Sequence, residues 1–319
     1  MLLVVALGGN ALLEPGQVPD AETQRGNIRR AIEPIAALAR AHDLVITHGN
    51  GPQVGLLALQ SEALASVPGY PLDILDAESE GMLGYLIEQE IGNALPGREV
   101  ATLLSRVEVA ADDPAFETPS KPVGPVYTGD EARRLARERG WAMRDDGAGF
   151  RRLVASPKPR RMLGLAAVRT LVEAGHIVVC AGGGGIPVTV DAEGVVTGVE
   201  AVVDKDHASA LLARELDADS LLLLTGEPVV WSAWPRARGR AISRASPAAL
   251  QGLTFEAGTM GPKVEAACEF ATRSAKTAYI GALEDAARIV EGRAGTAIRP
   301  SGELAFYADD SVNVARDAR

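Results

Sequence analysis

Three apolar runs in this chain each stop at glycine. "VVALGGNAL" stops at Gly8, "LVITHGNGPQVG" at Gly49 and "HIVVCAGGGGIPV" at Gly182. The runs are rich in Val, Ile and Leu and do not alternate with polar residues, the pattern of parallel strands covered on both faces. In an open parallel sheet, ligands sit beyond the carboxyl ends of the strands. Glycine at that edge lets the backbone come close to a ligand, and a following helix offers unpaired N–H groups and a positive dipole end. One Gly-Gly alone reads as a tight turn. Three such turns, each directly after a buried strand, point to phosphate held by main-chain amides. Asn10 and Asn50 add hydrogen bonds there without adding charge.

The rest of the pattern agrees. Strand-length apolar runs occur at Leu2–Leu7, Leu44–Thr47, Val100–Leu104, Ile177–Ala181 and Ser220–Thr225. Helical spacing runs through Ile28, Ile32, Ile35 and Leu38, through "GPQVGLLALQSEALA" with Pro52 in the first turn, through "LDILDAESEGMLGYLIEQEIGNAL" and through "LGLAAVRTLVEAG". Further helices are expected to begin near Asp206, Pro262 and Leu283. Strand and helix alternate, which predicts an α/β domain with a mostly parallel sheet. Residues 111–159 break the rhythm. They are rich in Pro, Gly and charge, and carry one helical pattern, Glu131–Arg139. That is too long for a connection in a compact domain, and it reads as an inserted lid with Lys121 and Lys158 near its ends.

Composition narrows the function. The 319 residues bury enough surface to need no disulfide or structural metal. Cys180 and Cys268 are far apart and form no CxxC, as expected of small core residues in a reduced, cytoplasmic protein. The formal net charge of −10 argues against nucleic acid and anionic membrane as partners. No stretch is apolar for long enough to span a bilayer, and Met1–Val5 reads as strand, not signal peptide. The chain has 27 Arg and only 5 Lys. Four of those lysines, Lys121, Lys158, Lys205 and Lys263, sit in Pro- or Gly-flanked or charged contexts, as where a compact point charge fits and a planar fork does not. Lys276 reads as an ordinary surface cation.

Several chemistries are excluded by motif. There is no GxxxxGK[ST], no GxGxxG after the first strand, and no HRD with DFG. Phosphoryl transfer fits without them, because it needs positioning and cations to balance charge on the moving group. Lys205 and Lys263 are candidates for those cations. Asp204 and Asp206 flank Lys205, able to orient its ammonium, help hold Mg²⁺ or cap a helix. No His–Asp or Ser–His constellation is visible, so the histidines, His48 and His207 included, read as structural. Glu88 and Glu90 read as a solvated helix face, and Trp231 and Trp234 as core packing ahead of a place flanking an adenine.

The motifs "VVALGGNAL", "THGNGPQVG", "PLDILDAESEGMLGY", "SKPVGP", "SPKP", "CAGGGGIPV", "EAVVDKDHASALLA", "LLLLTG" and "GTMGPKVEAA" stand in this order. In them the chain resembles the carbamate kinases of the amino acid kinase superfamily, from Leu2 to about Ile298. The resemblance implies an open αβα sandwich around a mostly parallel sheet of about eight strands, with a protruding lid subdomain. It implies one domain over 1–319: an N-terminal lobe, 1–200, on the carbamate side with the lid at about 111–159, and a C-terminal lobe, 201–319, on the nucleotide side. The implied activity is reversible Mg²⁺-dependent phosphoryl transfer between ATP and carbamate, giving ADP and carbamoyl phosphate. It runs mostly toward ATP, in arginine, agmatine or purine catabolism, in a homodimer.

Residue by residue, the resemblance implies Gly8, Gly9 and Asn10 at the transferring phosphate, and Gly49, Asn50 and Gly51 as a second anion turn. Gly183 and Gly184 belong to the third. Lys121 would reach from the lid to the carbamate end, with Lys205 and Lys263 balancing charge and Asp206 orienting them. Nucleotide contacts would come from Lys205, Thr225, Gly226, Gly258, Met260 and Lys263. No metal ligand is assigned; Mg²⁺ would be held mainly by the nucleotide. The arginine-rich segment 229–243 departs from the family pattern, and residues 300–319 run past its usual end, as a disordered tail or a dimer-edge strand. Another acyl-phosphate or phosphate kinase of the superfamily, and a non-catalytic nucleotide sensor, are the alternatives. The sensor's signature would be loss of one of the three lysines.

Overall fold

A computed structural model describes residues 1–308 except Pro15, Ala65, Asp146, Ala148, Pro235, Ala237, Arg238 and Ala257. Its centre is a sheet of ten strands. In spatial order, nine of them are Val230–Trp231, Ala241–Ala245, Thr296–Ile298, Thr277–Ala282, Ser220–Thr225, Leu2–Leu7, Asp43–His48, Ile177–Val179 and Val100–Thr102. The tenth, Ala305–Phe306, pairs antiparallel with Ala241–Ala245. The count exceeds the eight that the resemblance implies because short strands extend the sheet at its carboxyl-half edge. Within the 300–319 segment, Ala305–Phe306 thus pairs in the chain's own sheet; 309–319 lie outside the described residues.

Strand Leu2–Leu7 is parallel to both neighbours, Ser220–Thr225 and Asp43–His48. The chain thus winds outward in both directions from its first strand, and the order of strands reverses there. Ligands of open α/β sheets bind at such a point.

Nine α-helices occur among the described residues: α1 (Ala21–Ala39), α2 (Gly51–Ala63), α3 (Leu72–Ala94), α4 (Gly129–Arg139), α5 (Leu165–Glu173), α6 (Lys205–Glu215), α7 (Pro247–Leu250), α8 (Met260–Ser274) and α9 (Ala286–Val290). The two faces of the first strand explain the layers. Leu3, Val5 and Leu7 pack with Ile28 and Ile32 of α1, Leu83 and Ile87 of α3 and Ile289 of α9. Val4 and Ala6 pack with Val168 of α5, Leu211 of α6 and Phe270 of α8. Alternate side chains of a strand point to opposite faces, so a run apolar at every position is covered by a helical layer on each side.

The lid is a small α/β unit of its own. Strands Lys121–Tyr127, Phe150–Val154 and Ala142–Asp145 form an antiparallel sheet carrying α4. Thr128 and Glu131 close a reciprocal capping box at the start of α4, and Gly140 ends it in the left-handed conformation. Val123 and Val154 of the lid pack on Val54, Leu72, Leu75 and Val202 of the body. Gly55 of α2 meets Gly124 of the lid backbone to backbone: a Cβ on Gly55 would stand 2.5 Å from the Gly124 Cα. Flanking segments pair in a second, four-stranded sheet, Val196–Gly198, Ile186–Val190, Arg106–Val109 and Pro159–Leu163.

Candidate active site

The strands that end at Leu7, His48, Val179 and Thr225 stop at one edge of the sheet, and a cleft of about 1070 Å³ opens there. Gly8, Gly9, Gly49, Asn50, Gly51, Lys121, Gly183, Lys205, Asp206, Thr225, Gly226, Gly258 and Lys263 all line it. Residues from distant parts of the chain therefore converge at one place.

The charged centre is built on the start of α6. Asp204 is its N-cap: Oδ1 accepts from the Asp206 N–H at 2.9 Å. Its other oxygen, Oδ2, accepts from Lys121 Nζ at 2.6 Å. Asp204 thus caps the helix and holds the lid lysine at once. Asp206 is shared by two ammonium groups, with Oδ1 2.6 Å from Lys205 Nζ and Oδ2 2.9 Å from Lys263 Nζ. Three lysines meet two carboxylates, so the centre carries an excess positive charge beside a helix N-terminus, suited to an anion.

Burial sets the protonation states. It works to raise the Asp204 and Asp206 pKa values, but Lys121 and Lys205 for the first, and Lys205 and Lys263 for the second, hold both below the ordinary carboxylate range. Burial works to lower the Lys205 pKa, and the two aspartates raise it above its usual value. For Lys263, burial and the neighbouring Lys205 prevail over Asp206, and its pKa falls to about 8. Both aspartates are therefore anions, and Lys205 and Lys263 cations, at neutral pH.

The glycine turns frame this centre. A Cβ on Gly49 would stand 3.2 Å from the Gly9 backbone, so the first two turns pack directly on each other. The first turn of α2 takes no cap from the Asn50 side chain. That amide instead donates to Asp76 Oδ1 at 3.1 Å and Ser79 Oγ at 2.8 Å. The third turn has left-handed backbone at Ala181, Gly183 and Gly184. A Cβ on Gly183 would overlap the Asn50 amide.

Some expectations need correction or refinement. Glu90 is buried and accepts from Arg29 of α1 at 3.1 Å, so it faces α1 and not solvent, while Glu88 is half-buried. Trp234 is 49% exposed and Trp231 only half-buried, so neither is a core side chain. Lys158 is exposed and away from the cleft. Met260 opens α8 and packs against the core, and Gly184 lies under Val203; neither lines the cleft. The backbone of Asn10 forms a short 3₁₀ turn with Gly9 and Ala11, while its side chain lies outside the described residues. Part of segment 229–243 also lies outside them.

Sequence reading missed the buried support: Asp76, Ser79 and Glu80 of α3, and Ser105. The available signal was two acids four apart, on the helical face that also carries Leu72 and Leu83. His48 is buried with its Nδ1 3.1 Å from the Gly49 carbonyl oxygen, and burial drives its pKa down to about 4, so it is neutral and structural.

A model of the amino acid kinase family matches residues 1–282. This chain belongs to that family. Within the amino acid kinase family it is 52% identical over 310 residues to the carbamate kinase of Haemophilus influenzae, covering 97% of this chain and 100% of that one. It is 48% identical over 296 residues to the carbamate kinase of Escherichia coli strain K12, covering 93% and 98%. Among solved structures, carbamate kinase from Giardia lamblia bound to AMP-PNP superposes with a TM-score of 0.86 at 37% identity, covering 93% of this chain and 98% of that one. As a member of the amino acid kinase family, the chain gathers its glycine turns with Lys121, Lys205 and Lys263 in one cleft.

Proposed function

We propose that this chain is a carbamate kinase, transferring a phosphoryl group reversibly between ATP and carbamate to give ADP and carbamoyl phosphate. The observation that carries the reading is the cleft in which Lys121, Lys205 and Lys263 meet over Asp204 and Asp206 beside three glycine turns. The long identity to carbamate kinases supports the acceptor. In the forward direction a carbamate oxygen attacks the γ-phosphorus. The new O–P bond forms as the bond to the β–γ bridging oxygen breaks, and that oxygen leaves on ADP. Carbamate is already an anion, so no side chain has to remove a proton, in keeping with a neutral, buried His48.

The catalytic task is then charge and position. Lys205 and Lys263, fixed on the two oxygens of Asp206, face the transferring group and the leaving phosphate. Lys121 comes from the lid toward the carbamate end. Gly8, Gly9, Asn10, Gly49, Asn50, Gly51 and Gly183 form the cradle, with Gly184 behind it, and Thr225, Gly226 and Gly258 the nucleotide side. The division into lobes 1–200 and 201–319, with the lid at about 111–159, belongs to the same proposal.

Among the described residues, no group of three or more His, Cys, Asp or Glu is placed to hold a metal, and both site aspartates are engaged by lysines. That donor set fits Mg²⁺ carried in on the nucleotide phosphates. The ion would neutralise charge on those phosphates. A homodimer and a reducing, cytoplasmic setting complete the proposal; the two free thiols fit the latter. No helix of the described residues is long and apolar enough to cross a membrane.

The deciding assay mixes the purified protein with Mg·ADP and carbamoyl phosphate and follows ATP. Rapid ATP formation is expected. Folded protein that binds ADP yet makes no ATP would favour another acceptor or a sensor.

A further inference from the structure

Glu80 of α3 is almost fully buried and has no cationic partner among the described residues. Its two oxygens hold two different segments. Oε2 accepts from the Ser105 N–H at 3.1 Å, and Oε1 accepts from the Gly182 N–H at 2.9 Å. Ser105 then returns a bond to the same turn, its Oγ accepting from the Ala181 N–H at 2.9 Å. Two successive amides of the third glycine turn are thus fastened from beneath.

That turn needs fastening. Its backbone has φ of 52° at Ala181, 68° at Gly183, 106° at Gly184 and 84° at Gly185. Ala181 is not glycine, so its left-handed conformation is held against a steric cost. Gly183 lines the cleft, and its N–H has no acceptor among the described residues. One helical turn before Glu80, Asp76 accepts from the Asn50 amide, which lies against Gly183. Residues four apart share a helix face. One face of α3 therefore holds the second and third turns in register.

A carboxylate is a poor choice for filling this space. Buried without a cation it costs more free energy than an apolar side chain of similar size. What it offers, and Leu does not, is two acceptor oxygens at a fixed spacing. We propose that Glu80 is a positioning residue that fixes the third glycine turn so that the Gly183 N–H meets the anionic end of the carbamate-side substrate. This rests on the carbamate kinase reading above.

The test compares wild type with Glu80→Gln in ATP formation from carbamoyl phosphate and Mg·ADP. The amide keeps the volume but turns an N–H₂ toward one of the two backbone donors. The KM for carbamoyl phosphate is expected to rise about tenfold while that for Mg·ADP stays within about twofold, the scale of one lost hydrogen bond. A role in packing alone moves both KM values together, or lowers only the melting temperature, and either result overturns the proposal. Ser105→Ala removes the Ala181 acceptor while keeping the Glu80 carboxylate and the Ser105 N–H that it accepts. It decides the matter if Glu80→Gln does not fold, with a smaller rise confined to the carbamoyl phosphate KM as the expected result and no selective rise as the contrary one. Wild-type protein that makes no ATP overturns the kinase reading and, with it, the substrate named here. Active wild type with unaltered variants overturns only the role of Glu80.

Discussion

Lys121 Nζ lies 2.6 Å from Asp204 Oδ2, across 83 positions of sequence. One residue opens the first strand of the lid, and the other caps the helix that carries Lys205. The contact ties the lid to the charged centre and leaves the ammonium beside the place where an anion would enter. Replacing Lys121 by Ala should lower kcat/KM for carbamoyl phosphate by about 10²–10³, the usual loss for one preorganised charge-stabilising donor. Calorimetric ADP affinity should be unchanged. A variant with near-normal kcat/KM would remove Lys121 from the mechanism.

Lys205 is held on both sides by aspartates and stays charged. The Lys205→Ala variant should make no measurable ATP, yet still bind ADP in a titration. Surviving turnover would show that the assignment of Lys205 is wrong.

Asp206 and Asp204 should differ in their weight on stability. Asp206 is buried and serves two lysines. Asp206→Ala leaves two buried cations with less compensation, a change expected to cost about 3–5 kcal/mol. Asp204 is more exposed and mainly loses its cap on substitution, a cost of about 1 kcal/mol. Denaturant midpoints of the two alanine variants give the order. Equal losses would mean that Asp206 is not the central ion of the cluster.

Lys263 gives the site a pH limit. Burial and Lys205 bring its pKa from 10.5 down to about 8. As pH rises through that value the folded protein loses this charge, and kcat/KM should fall. The stability effect has the opposite sign. Between about 8 and 10.5 the unfolded chain holds this proton more than the folded one does, so this group's contribution to stability rises with pH. A pH–rate profile and a set of melting temperatures check both signs. A kcat/KM flat to pH 10 would contradict the role given to the Lys263 charge.

Gly55 seats the lid against Gly124. A methyl group there must push the lid away from α2, and with it Lys121. Misplacement on the order of 1 Å at a reacting centre can cost about a hundredfold, so Gly55→Ala should reduce kcat/KM sharply while leaving ADP binding intact. Normal kinetics would mean that the lid seat does not set the reach of Lys121.

Much of this was legible along the chain. The runs Leu2–Leu7 and Ser220–Thr225 coincide with strands to the residue. The helix predicted at Glu131–Arg139 begins two residues earlier, at Gly129, where its capping box supplies the start signal. The lysines stood out because the composition otherwise prefers arginine. Glu80 and Glu90 did not stand out. An acid in a helix reads as solvated unless its neighbours in space are known, and these two face Gly182 and Arg29 from segments far away in sequence.

The sequence by itself determined the strands, the glycine at their ends and the cations available to the site, because backbone sterics and apolar periodicity act over a few residues. Only the tertiary structure decided which charges share a partner. Asp206 holds Lys205 next to it and Lys263 from 57 positions away. A hydrogen bond or a shifted pKa depends on ångström separations and on exclusion of water, and packing alone supplies both.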